Sequence, residues 1–104
     1  MAFTGNEDQH ISLDKAAELT RNYRQSAETG AILGGYGSKY SVSRILDQPG
    51  CVGLRIYYAM EDNGNHQFVI VGVNANGDDL YDGEIMEHII TCPPICPKAN
   101  PLTS

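Results

Sequence analysis

CVGLRIYYAMEDNGNHQFVIVGVNA, the stretch from Cys51 to Ala75, reads as a β-hairpin. From Val52 to Met60 the even positions are Val52, Leu54, Ile56, Tyr58 and Met60, and this period-2 alternation places one apolar row on one face of a strand. A second β-rich run covers Gln67 to Ala75. Between them lies Asp62-Asn63-Gly64-Asn65, and Asn-Gly favours a type I′ turn, in which both central residues take positive φ. That turn sets Asp62 opposite Asn65. Met60 then faces Gln67, Tyr58 faces Val69, Ile56 faces Val71, Leu54 faces Val73 and Val52 faces Ala75, so two apolar rows line up. Glu61 is expected opposite His66 as a modest charge pair.

The other face of this ribbon is mixed. Tyr57, Ala59, Phe68 and Ile70 make it apolar near the turn, while Arg55 opposite Gly72 and Gly53 opposite Asn74 make it small and polar at the open end. An arginine in a shallow, glycine-floored patch suits carboxylate or phosphate recognition. Arg55, Tyr57 and Asn74 are therefore the candidate ligand-binding residues, with a small anionic ligand as the partner they would take. The alternative, which is favoured, pairs Arg55 with an acidic residue such as Glu84 or Glu87 under a covering segment.

Upstream, residues 1 to 11 are polar and read as an N-terminal arm. Ser12 is a good N-cap and Asp14 suits the first turn of a helix through SLDKAAELTRNYRQSA, with Ala16, Leu19, Tyr23 and Ala27 along its apolar face and Gly30 as terminator. After a glycine corner at Gly34, Gly35 and Gly37, Ser38 caps a shorter helix to about Asp47, with Val42, Ile45 and Leu46 facing inward. Pro49 ends it. Downstream, Asn76-Gly77 is a second turn, and Leu80-Tyr81 has the makings of a short third strand. In GEIMEHII the spacing of Ile85, Met86, Ile89 and Ile90 is helical, although the β-branched content also permits a strand. Residues 92 to 104 form a proline-rich tail that continues neither helix nor central strand.

The expected fold class is α+β: an antiparallel sheet centred on the long hairpin at 51–75, packed against two N-terminal helices. A length of 104 residues fits a single domain spanning 1–104. The formal net charge of −6, with seven scattered lysines and arginines, lacks the basic footprint of a nucleic-acid binder. The opening residues have no basic and apolar leader pattern, and no apolar run is long enough to span a bilayer. Three cysteines do not close a disulfide framework, so a cytoplasmic location with reduced thiols is expected.

Three segments, ILDQPGCVGLRIYY, FVIVGVNANGDDL and CPPIC, together with the opening FTGNEDQHISLDKAAELTRNYR, resemble a family of small uncharacterised bacterial proteins, mostly from the Bacteroidetes. The likeness runs over nearly the whole chain and implies a free-standing bacterial domain. It brings with it no reaction, cofactor or catalytic residue.

Cys92 and Cys96, with Cys51 and His88, could supply four soft zinc ligands, but the spacing is CxxxC and no second paired knuckle exists. A Cys92–Cys96 disulfide is the other arrangement open to that pair. Thiol catalysis by Cys51 needs a base in reach. His66 lies about nine residues up the strand, roughly 30 Å away, which leaves His10 and His88. The glycine corner lacks the phosphate-loop spacing, and Asp78, Asp79, Asp82 and Glu84 miss the calcium-loop spacing. No metal and no cofactor is favoured. The expected function is a non-enzymatic binding module that self-associates, with a homodimer as the simplest state. The alternative is a small thiol- or metal-dependent protein using Cys51, Cys92, Cys96 and His88.

Overall fold

The structure is a computed structural model of the chain and describes residues 2–104. In chain order the elements are α1 (Leu13–Ser26), β1 (Gly34–Tyr36), α2 (Lys39–Leu46), β2 (Cys51–Met60), β3 (His66–Asn74), β4 (Ile85–Met86) and β5 (Ile90–Cys92). The fold class is α+β, with β2-β3-β4 forming one sheet and β1-β5 a two-stranded second one. Two compact units are present: Met1–Glu7 with Tyr36–Ile90, and Asp8–Gly35 with Thr91–Ser104.

The first unit is built on the hairpin, with β2 and β3 antiparallel. The register differs by one residue from the expected one. Tyr58 pairs with Phe68, Ile56 with Ile70 and Leu54 with Gly72, while Tyr57 pairs with Val69, Arg55 with Val71 and Gly53 with Val73. Tyr58 and Val69 therefore lie on opposite faces, and Arg55 stands beside Val71 instead of Gly72. The turn explains the shift. Glu61 N–H donates to Asn65 O at 2.8 Å and Gly64 N–H donates to Glu61 O at 2.8 Å, which closes a loop of three residues, Asp62, Asn63 and Gly64. Of these only Gly64 takes a positive φ, at 89°. A type I′ turn needs positive φ at both central residues, whereas a three-residue loop needs it only at the last. Asn63 instead accepts from Asn65 N–H through Oδ1 at 3.0 Å. Glu61 thus faces Asn65, and His66 pairs with Met60. Between Cys51 and Gly53 the ladder slips once more, which leaves Val52 as a bulge.

α2 starts where its serine cap predicts: Ser38 Oγ accepts from Ser41 N–H at 3.1 Å. The helix packs on the even face of the sheet. Ile45, 1% exposed, meets Met86 and Ile89 there, with Val42, Cys51, Phe68 and Ile70 around them. Gly72 makes this close approach possible, because a Cβ on it would sit 3.0 Å from Cys51 Sγ and 3.3 Å from Ile45 Cγ2. Gln48 ties the helix end to the loop before β4, donating to Ile45 O and accepting from Glu84 N–H, each at 2.9 Å.

Residues 84–91 are not a helix. Ile85 pairs with Val71 and Met86 with Ile70 as β4, and His88 adopts φ 56°, which interrupts any regular element before β5. The third strand is thus β4, while the Asp79 region contributes only an isolated bridge to Val73. The N-terminal arm joins the open end of the hairpin, where Ala2 and Phe3 N–H both donate to Ala75 O.

In the second unit Ser12 caps α1, accepting from Lys15 N–H at 3.0 Å, and Asp14 occupies the first turn. Of the expected apolar face, Ala16 and Ala27 are half-buried, but the stripe centres on Ala17 and not on Leu19 and Tyr23. Ala17 is buried and Thr20, Arg24 and Ala27 are half-buried, while Leu19 and Tyr23 are exposed. Arg24 holds the tail by donating to Leu102 O at 2.7 Å. The tail is further fixed by Leu33 N–H donating to Cys92 O at 2.7 Å and by a Cys92–Cys96 disulfide with a Cα–Cα separation of 4.8 Å.

Candidate functional site

β2 is the edge of the β2-β3-β4 sheet. Glu61 turns both its N–H and its C=O toward β3, as the turn bonds show. Backbone direction alternates along an antiparallel strand, so Gly53, Arg55, Tyr57 and Ala59 share the inward direction. Leu54, Ile56, Tyr58 and Met60 present their N–H and C=O groups outward. Asn74 N–H donating to Asp78 O and Leu80 N–H donating to Gly72 O confirm the alternation on β3, where these even residues bond away from β2.

The side chains of the outward set lie on the face that carries α2, but beyond the helix. Ile56 is 59% exposed, Tyr58 91% and Met60 63%. Tyr58 has one aromatic neighbour, Phe68, with ring centroids 5.9 Å apart. A long edge strand with an apolar row and unpaired backbone is the arrangement that invites strand addition.

On the opposite face Arg55 and Tyr57 come together, as expected, but around a carboxylate. Arg55 Nη1 donates to Asp79 Oδ1 at 2.5 Å and to Gly77 O at 3.1 Å, and Tyr57 OH donates to Asp79 Oδ2. The tyrosine hydroxyl first, and then Arg55, hold the Asp79 carboxyl below its ordinary range, while the carboxylate pushes the Tyr57 phenol up. Arg55 is 34% and Asp79 22% exposed at the side chain, so the pair is half-buried. Asn74 is not in the cluster; its Oδ1 accepts from Asn76 and Asp78 N–H, each at 3.0 Å, and shapes the turn that presents Asp79. Arg55 is thus paired with an acidic residue, as the favoured reading had it, but the partner is Asp79 and not Glu84 or Glu87. Glu84 pairs with Arg44, and Glu87 with His88 at 3.1 Å. The glycine-floored patch does not form, since the register that would create it is off by one.

A groove of about 320 Å³ runs between α2 and β4, lined by Tyr40, Ser41, Arg44, Glu84, Glu87 and His88 among others. Its charges are matched internally: Arg44 donates to Tyr40 OH at 2.8 Å and to Glu84, which raises the guanidinium pKa further.

The cysteines and His88 do not assemble. Cys92 and Cys96 are bonded to each other, so the expectation of three reduced thiols is corrected for this pair. Cys51 Sγ–H donates to Gly53 O at 3.2 Å, and the His88 side chain is largely exposed. Among the described residues no three His, Cys, Asp or Glu side chains converge on a common point. No helix among them is long and apolar enough to cross a membrane.

The open β2 edge was not identified from the sequence, because it depends on β4 pairing with β3, and its outward residues depend on the register. Comparison with known protein families, curated proteins and solved structures returns no match.

Proposed function

We propose that this protein is a non-enzymatic interaction module that works as a homodimer, akin to the small bacterial proteins its motifs resemble. The observation that carries the reading is the exposed row Ile56, Tyr58 and Met60 on an unpaired sheet edge. Exposing such a row in water is unfavourable, at about 25 cal/mol for each Å² of apolar surface. A binding partner removes that penalty. Enzymatic readings draw less support: Arg55 already has its counter-charge in Asp79, which also weakens the case for a small anionic ligand. Sedimentation equilibrium of the intact chain tests the proposal. A mass of twice 11.3 kDa is expected, and a single-chain mass up to millimolar concentration would overturn it.

The metal-dependent alternative has its own test. Stoichiometric zinc in the purified protein, lost in Cys92→Ser, would displace the non-enzymatic reading. The compartment is part of the proposal too. A cytoplasmic location goes with reduced thiols, whereas a bonded Cys92–Cys96 pair supports an oxidising one. A thiol titration without reductant decides, since the bonded pair leaves only Cys51 to react.

A further inference from the structure

We infer that the second copy is held by antiparallel pairing of β2 with β2 across a two-fold axis at Tyr57, which joins two three-stranded sheets into one. The inference rests on the homodimer reading and specifies its contact. The free edge has definite limits. At one end Gly5 of the N-terminal arm lies over Val52, where a Cβ added to Gly5 would meet Val52 O at 2.9 Å, and Val52 is also the bulge. At the other end β2 stops at Met60. The outward backbone groups between these limits belong to Leu54, Ile56, Tyr58 and Met60. This set is symmetric about Tyr57. Only residues that both face outward can exchange hydrogen bonds, so Leu54 would pair with Met60 of the second copy and Ile56 with Tyr58. Moving the axis to Ile56 would require Val52 opposite Met60, and Val52 is covered.

Charge along the edge does not oppose a second copy in this register. Arg55 is the only charged residue in β2, and Asp79 of the same chain already neutralises it. In this register Arg55 stands opposite Ala59 of the second copy and Glu61 opposite Gly53, so no like charges meet despite a net charge of −6 on each chain. Edge strands that avoid association carry inward charges, prolines or lysines. β2 has no proline and no lysine, and its one charge, Arg55, is neutralised by Asp79 on the face opposite the apolar row. The two-fold also brings the apolar rows of both copies together on one face, since an axis normal to the sheet leaves the even side chains of both strands on the same side.

The test compares Tyr58→Pro with Tyr58→Thr. Both lose the ring, but only proline removes the outward N–H, and proline is tolerated at an edge position of this kind. Two such N–H groups are lost per dimer, so the dimer dissociation constant should rise about thirty-fold more for Tyr58→Pro than for Tyr58→Thr. Equal effects of the two substitutions, with the wild type dimeric, overturn edge pairing and leave the homodimer standing. A wild-type chain that stays monomeric overturns both. Should Tyr58→Pro fail to fold, a mixed-isotope wild-type dimer decides: an intermolecular contact between the Hα protons of Arg55 and Ala59 is expected, and its absence contradicts the register.

Discussion

β2 and β3 are both rich in apolar residues and share one ladder, yet β3 is the wall of a core and β2 is open. On the face that carries α2, Ile70 of β3 is half-buried against the Ile45 cluster, whereas its cross-strand partner Ile56 is 59% exposed and Tyr58 is almost fully solvated. The difference lies in position, not composition. β3 has strand neighbours on both sides and α2 above its even face, while β2 has a neighbour on one side only. Apolar surface on the central strand stabilises the monomer. The same surface on the edge stabilises nothing until a partner arrives.

The contrast is sharpest at Ile45, which clamps the β3–β4 side. Ile45→Ala should destabilise the monomer by about 2–5 kcal/mol, whereas Ile56→Ala on the open side should change it by less than about 0.5 kcal/mol. Urea denaturation of dilute protein measures both, and comparable losses would erase the distinction between the two strands. Gly72→Ala comes next, because its Cβ would press on Cys51 Sγ and Ile45. Overpacking there should cost about 1–3 kcal/mol, while Gly53→Ala, with open space at that position, should be much milder in the same assay.

The Arg55–Asp79–Tyr57 cluster makes a smaller, pH-dependent contribution. Asp79 titrates lower in the folded chain than its ordinary 3.8, so its share of stability is present above that value and lost as the pH falls through the folded pKa. Tyr57 titrates above its ordinary 10.0, so its share is present below that value and lost as the pH rises through the folded pKa. Asp79→Asn should flatten both limbs of the stability–pH profile, and an unchanged acid limb would show that the carboxylate is not held as described.

Much of this architecture was legible in the residues. Ser12 and Ser38 mark both helix starts because a capping hydroxyl satisfies a backbone N–H locally. The hairpin itself was clear from alternation and Asn63-Gly64. Its register was not. The run Phe68-Val69-Ile70-Val71 is apolar at both parities, so the pattern on β3 could not arbitrate between registers, and the turn alone decided. Asp62-Asn63-Gly64 closes as three residues, a geometry Asn-Gly also permits. That single slip moved Arg55 from Gly72 to Val71 and exchanged the set of β2 residues whose backbone faces outward. Asp79 was missed as the partner of Arg55 because its position depends on how Asn74 folds the following turn. The helical spacing in residues 85–90 yielded to pairing with β3 and to the left-handed conformation at His88.

Amide hydrogen exchange along β2 tests the central claim most directly. The Arg55 and Tyr57 amides, bonded to β3, should exchange slowly at every protein concentration. The Ile56 and Tyr58 amides should exchange slowly in concentrated protein and fast on dilution. Rapid exchange at Ile56 and Tyr58 at all concentrations would contradict pairing through this edge.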